Sequence, residues 1–95
     1  MRLTEFQRQT IKAAVFNVID TDSRIWLFGS RADDSRRGGD IDIYFEASRP
    51  IDLKTTLALE YRLTSLCNAK VDLLIRRPGE VEKPIHVIAR QGAPL

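Results

Sequence analysis

Asp40 and Asp42 stand two residues apart in the run Asp40-Ile41-Asp42-Ile43-Tyr44-Phe45-Glu46. In an extended chain, residues i and i+2 project from the same side. Ile41 and Ile43 then face a core, and the two carboxylates share the opposite face. Asp72 repeats the anomaly in Val71-Asp72-Leu73-Leu74-Ile75, alone among apolar residues. If the two runs are neighbouring strands, three carboxylates converge on one spot. Like charges that close repel and call for a cation, and an all-oxygen set suits a hard ion such as Mg²⁺ or Mn²⁺. Such ions serve phosphoryl and nucleotidyl transfer. The plainer alternative is that these aspartates cap an element or pair with a nearby Arg. It suits Asp72 taken alone better than the Asp40/Asp42 pair.

Gly29-Ser30 follows the apolar run Ile25-Trp26-Leu27-Phe28. Glycine lets backbone approach a ligand closely, exposed amides at a helix start attract phosphate, and the Ser30 hydroxyl adds a donor. Alone, the pair reads as a turn. Ten residues ahead of Asp40-Ile41-Asp42, it reads as a phosphate holder beside a metal holder.

These residues need elements to position them. The spacing predicts a helix over 3–19, with Thr4 and Gln7 as a capping box and Phe6, Ile11, Ala14, Val15, Val18 and Ile19 on its buried face. A strand follows at 24–28, apolar on both sides as a central strand is. The link to the next strand, 40–46, is long enough for one short helical turn. A helix over 50–67 has Asp52 as N-cap, Ile51 as staple, and Leu53, Leu57, Tyr61 and Leu66 as its buried stripe. A third strand at 70–76 closes on Arg77-Pro78-Gly79, and a last helix at 82–92 stops at Gly92. The order α-β-β-α-β-α implies a small sheet covered by helices, an α/β or α+β sandwich.

Composition fits this frame. The chain has 95 residues, 43% hydrophobic and 29% charged, with a formal net charge of +2. That length makes one domain, and the charge is too balanced to imply nucleic acid by bulk electrostatics. No interleaving of basic and aromatic residues offers a base-stacking platform, so direct nucleic-acid binding is not expected. A lone cysteine, Cys67, rules out an intrachain disulfide and suits a reduced, cytoplasmic setting with the thiol packed as a small hydrophobe. Met1–Thr10 lacks the apolar stretch of a signal peptide, and no run approaches membrane-spanning length. His86 reads as structural or surface. Trp26, Phe28, Tyr44 and Phe45 read as core, with base stacking by Tyr44 a weaker alternative.

Gly29-Ser30, then the nine residues from Arg31 to Gly39, then Asp40-Ile41-Asp42 resemble the signature of the DNA polymerase β nucleotidyltransferase superfamily. Asp72 matches its third carboxylate. The short chain resembles the minimal nucleotidyltransferases of prokaryotes, of the MntA-like antitoxin type, over residues 1–95. It differs in the loop Ala32-Asp33-Asp34-Ser35-Arg36-Arg37, where such proteins usually carry Arg-Gly, and in Gly39, where they often carry Ser.

The resemblance implies a small mixed β-sheet with helices packed on it, the polymerase β palm-like fold. It implies two Mg²⁺ ions (or Mn²⁺) held by Asp40, Asp42 and Asp72, and a triphosphate held by Gly29 and Ser30 with help from Arg31. It further implies ATP as substrate and AMP transfer to a tyrosine of a helical HEPN-type RNase toxin, which this chain would silence as an antitoxin. Ninety-five residues leave no room for an acceptor-gripping domain, so a hetero-oligomer with the acceptor is expected. The alternative is a binding module that inhibits by complex formation and keeps only a vestigial metal site.

Overall fold

The computed structural model describes residues 3–18, 24–29 and 41–95. Helix α1 (Glu5–Val18) leads into strand β1 (Arg24–Phe28) and then β2 (Ile41–Glu46). Helix α2 (Leu53–Cys67), strand β3 (Val71–Arg76), helix α3 (Pro84–Arg90) and a two-residue strand β4 (Ala93–Pro94) complete the order. The strands form one sheet, β3-β2-β1-β4. β1 is antiparallel to β2 and β4, and β2 is parallel to β3, so the sheet is mixed. β1 is internal, as its two-sided apolar character requires.

One face of the sheet carries Ile25, Leu27, Ile41, Ile43, Phe45, Val71 and Ile75 into a core closed by Ile11, Ala14 and Val15 of α1 and Leu59, Leu63 and Cys67 of α2. Local chemistry sets where the helices begin. The Thr4 hydroxyl accepts from Gln7 N–H at 3.0 Å while Gln7 Oε1 accepts from Thr4 N–H at 3.1 Å, the expected capping box. Asp52 Oδ1 accepts from Thr55 N–H at 2.8 Å as N-cap of α2, with Ile51 buried beneath it. Asn68, at φ 52°, ends α2 in the left-handed conformation that a short polar side chain tolerates.

The opposite face carries Trp26, Phe28, Asp42, Tyr44, Glu46, Asp72, Leu74 and Arg76, by alternation along each strand. α3 covers part of it. Tyr44 is fully buried there, stacked between Trp26 (5.4 Å between centroids) and His86 (5.5 Å). Its hydroxyl donates to Glu46 Oε2 at 2.8 Å, and Arg90 Nη1 of α3 donates to the same oxygen at 3.0 Å. Arg90 also pairs with Glu82, and Arg76 lies 3.5 Å from Glu82. This charged knot fastens α3 to the sheet.

Three expectations change. First, Leu53, Leu57 and Tyr61 are 67%, 55% and 77% exposed, and Leu66 is exposed too. The buried row of α2 is Leu59, Leu63 and Cys67. Both rows have i, i+4, i+8 spacing, so periodicity alone does not choose between them. Second, Phe6 is exposed, because about 140° of helix rotation separates it from Ile11. Third, the chain after α3 turns back as β4, with Leu95 N–H donating to Ile25 C=O at 3.0 Å. A strand of two residues containing Pro94 leaves no periodic signal. Gly92 stands at that turn for space, since a Cβ there would overlap the Leu27 carbonyl oxygen. Tyr44 is sealed inside, as its core reading expects, which removes the weaker alternative of a stacking surface for a base. Ile19 and the short helical turn expected in the β1–β2 link lie outside the described residues.

Candidate active site

Asp42 and Asp72 are register partners in the parallel β2–β3 pair. Register partners in a parallel pair point to the same face, with strands about 4.8 Å apart. Both carboxylates lie on the face that carries α3, one row before Tyr44 and Leu74. Both are half-buried. The convergence expected from two separate acidic anomalies is therefore present for these two residues.

On the other side of Asp42 lies the end of β1, with Phe28 opposite Asp42 in the antiparallel register. The next residue, Gly29, turns at φ 73°, which glycine adopts without cost. A Cβ on Gly29 would overlap Asp42 Oδ2. The glycine thus does two things: it takes a backbone conformation after β1 that a side chain would strain, and it leaves room for a carboxylate against the backbone. Ser30, Arg31 and Asp40, the remaining predicted members of the site, lie outside the described residues.

Around the pair, Lys70 Nζ stands 3.8 Å from Asp72 Oδ1. The Lys70 side chain is 67% exposed and that of Asp72 42%, and so exposed a pair contributes little, so Lys70 does not explain why two carboxylates share a row. Among the described residues no group of three His, Cys, Asp or Glu side chains is placed to hold a metal. The donor set that is described is two carboxylates on adjacent strands beside a glycine cradle. That all-oxygen chemistry fits a hard divalent cation.

The residues 9–95 match the polymerase beta nucleotidyltransferase family. The chain belongs to that family. Solved structures agree. A mutant toxin–antitoxin complex MntA–HpeT aligns with 28% identity and a TM-score of 0.62, over 73% of this chain and 55% of that one. A toxin–antitoxin structure with AMP-PNP aligns with 30% identity and a TM-score of 0.62, over 73% and 56%. A third, a tri-AMPylated Shewanella oneidensis HEPN toxin in complex with an MNT antitoxin, aligns with 25% identity and a TM-score of 0.51, over 76% and 58%. The chain thus spans little more than half the length of the solved chains it resembles. No curated protein matches it. No helix among the described residues is long and apolar enough to cross a membrane.

The residue that the sequence undervalued is His86. It is 1% exposed, its Nδ1 accepts from Lys83 N–H at 3.0 Å, and its ring covers Tyr44. It is a fastening of α3 rather than part of the carboxylate row. Its signal was faint, one imidazole in a short segment after Pro84.

Proposed function

We propose that this nucleotidyltransferase-family chain transfers AMP from ATP to a tyrosine hydroxyl of a HEPN-type toxin and so acts as its antitoxin. The observation that carries the reading is the in-register Asp42/Asp72 pair, with Asp42 packed against Gly29. Support comes from the solved relatives, one described with AMP-PNP and one with an AMPylated HEPN toxin. The MntA–HpeT mutant carries two Asp-to-Glu substitutions two positions apart, the spacing of Asp40 and Asp42 here.

In this reading Asp42 and Asp72, with Asp40, hold Mg²⁺, which when bound neutralises triphosphate charge and stabilises the α-phosphate in the transition state. Gly29 gives the triphosphate access to the backbone, and Ser30 and Arg31 hold its oxygens. The tyrosine oxygen attacks the α-phosphorus, the bond to the bridging oxygen breaks, and pyrophosphate leaves. Asp72 accepts the hydroxyl proton. The chain's work is orientation and fixed charge, since the leaving group is already good.

The test mixes this chain, ATP, Mg²⁺ and the HEPN-type protein encoded beside it. Mass spectrometry should find one or more AMP additions on the partner, and Asp42→Ala should remove them. Inhibition of the partner without any mass change, and insensitive to Asp42→Ala, would instead establish the non-catalytic binding module.

A further inference from the structure

We propose that Glu60 and Thr64 of α2 are positioning residues for Asp72: they hold the backbone on either side of it and so fix where its carboxylate meets the cation. The proposal rests on the reading above in taking Asp72 to be a metal ligand.

The need arises from where Asp72 sits. β3 ends the sheet on one side, and an edge strand is bonded along one flank only. Ile41 N–H bonds Lys70 C=O and Ala47 N–H bonds Arg76 C=O. The even-numbered residues of β3, Asp72 among them, therefore turn their backbone groups to β2. The odd-numbered amides on either side of Asp72 point away from β2.

Helix α2 supplies the second flank. Thr64 Oγ1 accepts from Val71 N–H at 3.0 Å, and Glu60 Oε2 accepts from Leu73 N–H at 3.0 Å. The two side chains are four residues apart, about 6.0 Å along a helix. The two amides are two residues apart, about 6.6 Å along a parallel strand. That near match lets one face of the helix stand in for a neighbouring strand over these positions. Both side chains are half-buried, and the Glu60 carboxylate makes the stronger, charge-assisted bond.

The clamp is local. Thr56 is the next member of the same row, one turn before Glu60, and it lines a cavity together with Ile75. Its hydroxyl donates to Asp52 C=O at 2.9 Å, and among the described residues no α2 side chain takes the Ile75 N–H. Along this row α2 holds the two amides that bracket Asp72 and not the next one.

Protection of the edge from a second chain is the plainer use of these bonds. It asks only that the amides be covered, so their loss would leave the cation site alone. Positioning asks more, since a metal ligand must be held to within about 0.5 Å. Asp42, the register partner, stands on an inner strand bonded on both flanks. With the clamp in place, Asp72 also stands on backbone held from both sides.

Calorimetry of AMP-PNP binding across a Mg²⁺ series compares wild type, Thr64→Val/Glu60→Ala, Thr64→Ser/Glu60→Gln and Asp52→Ala. The first variant removes both acceptors and the second keeps them. The third removes the N-cap of α2 without touching β3. Circular dichroism checks that each folds. The Mg²⁺ concentration at half-maximal binding should rise about tenfold in Thr64→Val/Glu60→Ala, as for other outer partners of a metal ligand. Thr64→Ser/Glu60→Gln should recover most of that loss, and Asp52→Ala should match wild type. If the acceptor-free variant does not fold, Thr64→Val alone, close in shape to the native residue, carries the test with a rise of the same sign. An unchanged Mg²⁺ response without the acceptors overturns the clamp and leaves the metal reading intact. So does a loss that Asp52→Ala shares, or that Thr64→Ser/Glu60→Gln does not recover. A wild type that binds AMP-PNP without regard to Mg²⁺, or not at all, overturns the metal reading and the clamp with it.

Discussion

Asp42 and Asp72 sit side by side on adjacent parallel strands, each flanked along its strand by residues of the core: Ile41 and Ile43 for the first, Val71 and Leu73 for the second. The apolar neighbours fix the register, because a slip of one residue would turn every side chain to the wrong face. The same packing that forms the core therefore sets the spacing of the carboxylates.

Gly29 should tolerate no side chain. Gly29→Ala places a Cβ on Asp42 Oδ2 and forces a positive φ on an L-residue. The φ penalty alone costs about 1–2 kcal/mol. A thermal melt should show that loss, and Mg²⁺ titration should show weakened uptake as Asp42 is pushed aside. A variant with unaltered stability and metal affinity would mean that the turn does not hold Asp42.

Tyr44 should make the protein sensitive to alkali. Burial, then its hydrogen bond to Glu46, pushes its hydroxyl from 10.0 up to about 12. A group raised in the folded state stabilises below its unfolded pKa and loses that contribution as pH rises through the folded value. Unfolding free energy should fall by about 3 kcal/mol as pH climbs from 10 toward 12. Urea melts on a Tyr61→Phe background, with tyrosinate absorbance as probe, check this. Tyr44→Phe should be less stable at neutral pH and lack this alkaline loss.

At acid pH the same knot should loosen from the other side. Burial works to raise the Glu46 carboxyl, but hydrogen bonds from Tyr44 and Arg90 and the charges of Arg90 and Arg76 hold it below 4.5. A depressed carboxylate stabilises above its unfolded pKa and loses that contribution as pH falls through its folded value. Stability should therefore decline below pH 4.5, and Glu46→Gln should flatten that decline while lowering stability at neutral pH. Denaturation midpoints across this range give the answer, and a parallel decline in both proteins would clear Glu46 of the role.

Much of this was legible in the sequence because it rests on local rules. Alternation put Asp42 on the face opposite Ile41 and Ile43, and the caps at Thr4 and Asp52 follow from side-chain reach over three residues. What was not legible depends on tertiary choice. α2 carries two apolar rows of equal spacing, and only packing against the sheet and α1 decides that Leu59, Leu63 and Cys67 go inside. Nor could β4 be read, because its pairing with β1 answers to the turn at Gly92 and not to any pattern of its own. That Asp42 and Asp72 are register partners required the parallel pairing of β2 with β3, which the sequence offered only as a condition.

Gly92 should prove as intolerant as Gly29 for a different reason. A Cβ at Gly92 would overlap the Leu27 carbonyl oxygen. Gly92→Ala should cost about 1–3 kcal/mol, the range of an overpacked interior. Hydrogen exchange should show the Leu95 amide, which bonds Ile25 C=O, losing protection while β2 and β3 keep theirs. Full protection at Leu95 in the variant would show that β4 docks without needing this glycine.

The central claim is that Asp42 and Asp72 together hold the cation that brings a nucleotide to this chain. Calorimetry of AMP-PNP binding, with and without Mg²⁺, on wild type and Asp72→Asn tests it most directly. The account predicts Mg²⁺-dependent uptake by wild type and at least a tenfold loss in Asp72→Asn, since even outer-shell partners of a metal are worth roughly 10–100-fold. Equal affinity in the two proteins, or uptake indifferent to Mg²⁺, would contradict it.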